Sequence, residues 1–124
     1  MGSFRYGEIV RVDFEDRTLA HLQSVIGAKV RRGESFHFSW MDDRSQGGGR
    51  SSVWIHPGCS LLYRFDRRNV PVLNRAWLTD MMTAANSQGG LYVMPEPADP
   101  DRELHQSTAG AEHTRRVVTA AGRR

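Results

Sequence analysis

The chain of 124 residues has very little cysteine and lysine, with Cys59 and Lys29 as the only examples of each. A single cysteine cannot form an internal disulfide. Long apolar runs are also missing, since none approaches the ~20 residues that a membrane span needs. The N-terminal stretch has no apolar core of the kind that marks a signal peptide. These absences exclude a disulfide scaffold and favour a cytoplasmic protein without a membrane partner.

Positive charge exceeds negative charge only slightly, with a formal net charge of +3. Sixteen of the seventeen basic residues are arginine. Residues 1–94 carry 12 basic and 9 acidic groups, which is the whole surplus, whereas residues 95–124 carry 5 of each. So weak a field permits nucleic-acid binding without indicating it.

Apolar residues alternate with polar ones in several short segments and recur at helical spacing in two longer ones. The predicted strands cover 8–14, 35–40, 51–56, 61–65 and 91–94, with a further short strand at 4–6. The predicted helices run from 16 to about 32 and from near Pro71 to 85. The order β-α-β-β-β-α-β indicates an α+β fold, with one small antiparallel or mixed sheet of four to five strands and two helices on one face.

Local signals mark the ends of the first predicted helix. Asp16 is the expected N-cap, because its carboxylate can accept a bond from the unpaired backbone N–H groups of the first turn. Gly33 is suited to the left-handed residue after the helix, and Arg31 and Arg32 suit its negative end.

The composition changes after Pro95. Three prolines come within six residues, at 95, 97 and 100, and few large apolar side chains follow. Such a segment cannot bury enough surface to offset the entropic cost of ordering. We therefore predict a compact domain over 1–95 and a disordered tail over 96–124.

The run from Gly47 to Ser52 is similar to a phosphate-binding loop only in part. That motif needs a glycine, four further residues and then Gly-Lys followed by Ser or Thr, leading into a helix. Arg50 replaces the lysine, Arg44 stands where the first glycine belongs, and a strand follows. We interpret the run as a hairpin loop between two strands. Backbone N–H groups of the glycine run, beside Arg44 and Arg50, remain able to contact a phosphate.

No catalytic or metal-binding set can be assembled from spacing alone. His37, His56 and Cys59 are the only metal-like group, and structural zinc sites usually show paired short-gap motifs and a fourth ligand. We predict no catalytic residues, no metal and no cofactor.

Arginines at element ends are the candidates for contact with nucleic acid or another anion. They comprise Arg31, Arg32, Arg44, Arg50, Arg67 and Arg68. The alternative is that the pairs complement a helix dipole and a solvated turn.

Trp54 is the main candidate for an interaction surface, together with His56 and His37. Alternation puts Trp54 on the strand face opposite Val53 and Ile55. It is therefore either an exposed contact point or a core residue covered by a helix, and the pattern leaves both open. An exposed tryptophan beside arginine is typical of a binding hot spot.

Several short stretches characterise the chain: DRTLAHL at 16–22, RRGESF at 31–36, SW at 39–40, GRS at 49–51, WIHP at 54–57, LNRAW at 73–77, ANS at 85–87, GL at 90–91 and PEP at 95–97. In these stretches the chain resembles a family of small uncharacterised bacterial proteins, over residues 2 to about 97. Some similar proteins are automatically described as ATP-dependent DNA ligases.

The ligase description implies a lysine that is adenylated in a Lys-x-Asp-Gly motif. The only lysine, Lys29, is followed by Val-Arg-Arg, and the nucleotidyltransferase core needs far more chain than 124 residues. The resemblance thus implies at most a link to DNA metabolism. We expect a binding or accessory module for protein–protein interaction or self-association. The alternatives are a nucleic-acid-binding accessory protein and, third, an enzyme.

Overall fold

The computed structural model describes residues 1–101, apart from the side chain of Gln46. Within this range the chain forms six strands and two helices. The elements are β1 Gly2–Tyr6, β2 Val10–Phe14, α1 Asp16–Arg31, β3 Phe36–Met41, β4 Arg50–Ile55, β5 Leu61–Arg64, α2 Arg75–Ala85 and β6 Leu91–Tyr92, with a short 3-10 helix at Arg44–Gln46. The predicted α+β class and element order are confirmed, with β1 as the short first strand.

The strands divide between two three-stranded sheets instead of forming one sheet. The first sheet has the order β2-β1-β5 and is antiparallel throughout. The second has the order β4-β3-β6, in which β3 is antiparallel to β4 and parallel to β6. The division follows from the turn at 56–59, after which β5 pairs with β1 and not with β4. Alternation in a sequence marks a strand but does not name its partner.

Aromatic side chains from the two sheets meet in one core. Phe4 of β1 packs edge-on against Phe38 of β3, with ring centroids 5.4 Å apart. Trp40 lies 6.5 Å from the same Phe4 ring. The helices close the core with Leu22 of α1 and Met81 of α2, both fully buried. Burying each such side chain contributes roughly 1.5–3 kcal/mol.

The first helix differs from the prediction at its start. Glu15 is the N-cap and makes no side-chain capping bond. The Asp16 carboxylate instead accepts from the backbone N–H of Arg67 at 2.8 Å and of Asp66 at 3.2 Å. These bonds, that from Arg67 first, lower the pKa of Asp16. Asp16 therefore fixes the loop after β5. At the other end of the helix, Gly33 has the predicted left-handed conformation, with φ of 75°.

The second helix begins at Arg75, four residues later than the proline signal indicated. Asn74 is its N-cap, and its side-chain oxygen accepts from the backbone N–H of Ala76 and Trp77. Asparagine is among the best N-cap residues, so the cap and not Pro71 sets the start.

The described chain continues past residue 95. Glu96 and Pro97 are hydrogen-bonded to the helices, whereas the predicted tail from 102 onward lies outside the described residues. No helix in the described part is long and apolar enough to cross a membrane.

Candidate interaction surface

The second sheet has one outward face, which we call the Trp54 face. Alternation in β3 turns Phe36, Phe38 and Trp40 into the core, so the intervening residues point outward. Their partners on β4 are set by the register, which pairs His37 with Trp54 and Ser39 with Ser52. The Trp54 face consists of His37, Ser39, Met41, Arg50, Ser52, Trp54 and Tyr92.

Three large apolar side chains stand exposed on this face. The exposed fraction is 48% for Trp54, 54% for Tyr92 and 73% for Met41. Tyr92 is brought there by the parallel pairing of β6, which sets it beside Ser39. Among residues 1–101, no helix covers Trp54, which answers for this part of the chain the question that the sequence left open. Large apolar side chains exposed together on one face mark contact sites more often than scattered single ones.

Local contacts hold the Trp54 side chain and its strand in place. The indole packs edge-on against His37, with ring centroids 4.8 Å apart. The Ser39 and Ser52 hydroxyls share a hydrogen bond of 2.6 Å. From the first sheet, the Tyr6 hydroxyl donates to the Trp54 carbonyl at 2.7 Å. These contacts fix the Trp54 indole and its strand in the absence of a partner.

His56, the third predicted surface residue, lies apart from this pair in the turn after β4. Its Nδ1 accepts from the backbone N–H of Gly58 at 3.1 Å, and the Cys59 thiol donates to its carbonyl at 3.0 Å. These contacts stabilise the turn. Within residues 1–101 no group of three or more His, Cys, Asp or Glu side chains is arranged to hold a metal ion.

The six predicted anion-contacting arginines fall in three separate places. Arg31 and Arg32 end α1, whereas Arg67 and Arg68 lie by its first turn. A helix of 16 residues separates these pairs by about 24 Å. Arg44 and Arg50 belong to the β3–β4 connection. Only Arg50 lies on the Trp54 face, where it is paired with Met41.

Three other arginines do come together, and sequence reasoning missed them. Arg5, Arg11 and Arg64 point outward from the first sheet, with Arg5 directly opposite Arg11. We call this surface the arginine face. Alternation along the strands turns Arg11 and Arg64 outward, but only the pairing of both strands with β1 sets each of them beside Arg5.

The glycine run is a hairpin loop, as the sequence indicated. Gly47 and Gly48 have positive φ of 101° and 70°, and strand β4 begins at Arg50. The Asp42 carboxylate accepts from the Ser51 hydroxyl at 2.8 Å and 3.0 Å. The loop therefore connects the paired strands β3 and β4, and the bond between Asp42 and Ser51 links its two ends.

Lys29 is buried at the end of α1. Its ammonium donates to the Asn86 side-chain oxygen at 2.7 Å and is paired with the Glu34 carboxylate at 2.9 Å. It also lies 5.6 Å from the centre of the Phe36 ring. The hydrogen bond from Lys29 lowers the pKa of Glu34. The only lysine thus joins α1 to the end of α2.

A second polar group, the Asn74 cluster, consists of Arg17, His21, Asn74 and Glu96. The Arg17 guanidinium binds the Glu96 carboxylate through two bonds, of 2.9 Å and 2.8 Å. The Asn74 amide donates to Glu96 and to the Pro97 carbonyl, both at 2.9 Å. Together these bonds attach the segment after β6 to both helices.

His21 uses both ring nitrogens inside the cluster. Nε2 accepts from the backbone N–H of Asn74 at 2.7 Å, so the ring proton is on Nδ1, which donates to the Arg17 carbonyl at 2.7 Å. The ring is fully buried and packs against Trp77 at 4.5 Å. Burial lowers the pKa of His21. The side chain is a neutral packing residue and has no nitrogen left for base catalysis.

The Arg17–Glu96 pair predicts a pH dependence of stability. The hydrogen bond from Arg17, and then that from Asn74, lowers the pKa of Glu96 to about 2 from 4.5. A carboxyl whose pKa is lower in the folded state stabilises fully above its unfolded pKa and loses that contribution as pH falls. Since the side chain is 29% exposed, we expect a loss of about 1 kcal/mol between pH ~4.5 and ~2.

Urea unfolding at several pH values checks this expectation. Glu96→Gln should flatten the stability profile in that window, whereas Glu8→Gln, in the exposed turn between β1 and β2, should leave it unchanged. Parallel profiles for the Glu96 variant and the wild type would contradict the role given to this pair.

The fold and its faces define a small α+β domain with two three-stranded sheets, one of which displays exposed aromatic side chains. The chain belongs to the family described as a domain of unknown function, DUF7882, whose model matches residues 1–96. The matched range ends at Glu96, the residue that completes the Asn74 cluster. No curated protein and no solved structure matches the chain. The resemblance to a family of uncharacterised proteins is thus confirmed, and the match carries no ligase activity with it.

Proposed function

We propose that this domain is a non-enzymatic binding module that contacts a protein, either a second copy of itself or another chain, through the Trp54 face. The observation that carries the proposal is that Trp54, Tyr92 and Met41 are all exposed on one sheet face. In this proposal the domain acts by binding a protein and catalyses no reaction.

The residue types on the face support a protein partner. Tryptophan, tyrosine, methionine and arginine are enriched at protein interfaces, and lysine and acidic residues are depleted there. The face contains one of each enriched type in Trp54, Tyr92, Met41 and Arg50, and no lysine or carboxylate. Ser39 and Ser52 are of a type depleted at interfaces, so the support comes from the four larger side chains.

Preorganisation of the face also favours binding. Association costs less entropy when contact side chains are already held in place. The indole is packed against His37, and the Tyr6 hydroxyl ties the Trp54 backbone to the first sheet. A partner would therefore meet a tryptophan side chain that needs little ordering.

The positions of the chemically reactive groups support binding over catalysis. Adenylation needs a free lysine amine, and the Lys29 ammonium is buried against Glu34 and Asn86. His21 has both nitrogens engaged. The DNA ligase description of similar proteins therefore gains no support from the groups it would require.

A second copy is the first partner to test. Two copies in contact through this face would bury six large apolar side chains, three from each. A closed dimer of this kind is the commonest oligomer among soluble proteins.

Trp54→Ala is expected to weaken association about 30-fold, because a hot-spot tryptophan contributes about 2 kcal/mol or more. Sedimentation equilibrium over a wide concentration range measures the effect on self-association. Leu62→Ala is the matched control, since Leu62 is 49% exposed but lies on the first sheet. If the wild type stays monomeric, affinity capture with wild type and both variants tests another partner. Capture that is unchanged by Trp54→Ala would then refute the proposal.

A further inference from the structure

The arginine face presents three guanidinium groups on one side of the first sheet. Arg5, on the central strand β1, is directly opposite Arg11 of β2. Arg64 of β5 is opposite Ser3, two residues along the strand from Arg5. Directly opposite residues lie about 4.5–5.5 Å apart and diagonal ones about 7–8 Å. The three side chains therefore form a single patch.

The charges of this patch are only partly compensated. Asp13 binds Arg11, with nitrogen and oxygen 3.1 Å apart. Within residues 1–101 no carboxylate comes within ion-pair distance of Arg5 or Arg64. Like charges directly opposite one another destabilise a sheet. The fold thus holds Arg5 and Arg11 together at a cost that a bound anion would remove.

We propose that the arginine face binds the phosphate backbone of double-stranded nucleic acid. Guanidinium groups bind phosphate oxygens through two parallel hydrogen bonds, and a duplex offers a dense row of such oxygens. This site is independent of the Trp54 face and of the six arginines that the sequence indicated. Its contacts fix position on the backbone and read no bases.

The composition of the face favours a duplex over the other anionic partners. Its exposed residues are Arg5, Arg11, Asp13, Leu62 and Arg64, and the buried Ser3 lies on the same side of β1. None is aromatic, whereas binding of single strands relies on stacking of bases against aromatic rings. Leu62 is the only apolar one, whereas a protein interface centres on a cluster of buried apolar or aromatic anchors. A cationic surface without aromatic rings and with one apolar side chain fits the regularly spaced phosphates of a duplex better than it fits a single strand or a protein.

The experiment measures how affinity for a short fluorescent DNA duplex depends on salt, with the full chain and anisotropy detection. Each phosphate contact contributes about 0.9 to the slope of log affinity against log salt. Arg5→Ala/Arg64→Ala should therefore reduce the slope by about 1.8. Arg31→Ala/Arg68→Ala removes the same charge from exposed positions elsewhere and should leave the slope unchanged.

Three outcomes would overturn the proposal. They are no binding by the wild type at low salt, an equal loss of slope in both double variants, or displacement by polyglutamate at concentrations where unlabelled duplex has no effect. The last would assign the face to an acidic protein. Trp54→Ala should bind the duplex as the wild type does, so failure here and failure of the proposed protein-binding function are separable. Thermal unfolding of each variant confirms that it is folded.

Discussion

Replacing Asn74 with alanine is expected to lower the free energy of unfolding by about 3 kcal/mol. Loss of an N-cap side chain costs about 1 kcal/mol. The amide also donates to the Glu96 carboxylate and the Pro97 carbonyl, and unmade bonds of partly buried polar groups cost roughly 1–3 kcal/mol more. Asn74 is fully buried, so water cannot replace what is removed without rearrangement.

Urea denaturation with linear extrapolation measures this loss. Asn69→Ala is the control, because Asn69 is exposed in the loop before α2. Asn74→Asp separates the two roles, since it keeps a capping oxygen for Ala76 and Trp77 but sets a carboxylate against Glu96. At neutral pH, Asn74→Asp should therefore be more stable than Asn74→Ala by less than the ~1 kcal/mol that the cap alone contributes. A change below ~0.5 kcal/mol in Asn74→Ala, as expected for an ordinary surface position, would show that the cluster is dispensable.

Gly90→Ala is expected to destabilise the domain by about 3 kcal/mol and to disturb β6. Gly90 has φ of 85°, and an added Cβ would lie 2.5 Å from the His37 carbonyl oxygen. A left-handed non-glycine residue costs roughly 1–2 kcal/mol, and overpacking against backbone about 1–3 kcal/mol. Relief of the overlap requires β6 to move away from β3, which would shift Tyr92 on the Trp54 face.

The neighbouring Gly89 offers a close control. Its φ is not positive, and an added Cβ there meets nothing within 4 Å. Gly89→Ala should therefore leave stability within about 0.5 kcal/mol of the wild type. Amide hydrogen exchange adds a local readout, because β6 amides should lose protection in Gly90→Ala only. Equal behaviour of the two variants would show that β6 tolerates displacement.

The individual strands and helices could be predicted from the sequence, but their arrangement could not. Period-two alternation in β3 gave the buried face of Phe36, Phe38 and Trp40, because burial imposes that pattern directly. Pairing of β5 with β1 depends on contacts far apart along the chain, which periodicity does not contain. The observed start of α2 differs from the predicted one for a local reason, because Asn74 is a stronger start signal than Pro71.

The candidate surfaces were predictable only in part, for the same reason. Alternation put Trp54 on the side opposite Ile55, but exposure depended on whether a helix crosses the sheet. Tyr92 joins the face through the parallel pairing of β6, which leaves no local trace in sequence. Arg5 and Arg64 are 59 positions apart and become neighbours only through β1–β5 pairing.

The interior position of Lys29 has a consequence for covalent chemistry on amines. It is the only lysine of the chain, and its side chain is 7% exposed. Acylating dyes and acetyltransferases need an amine that projects into solvent. They would find no lysine to modify unless the end of α1 first separated from Glu34 and Asn86. The folded domain is thereby closed to regulation by lysine acylation, and the exposed arginine side chains of the described part keep their charge at any physiological pH.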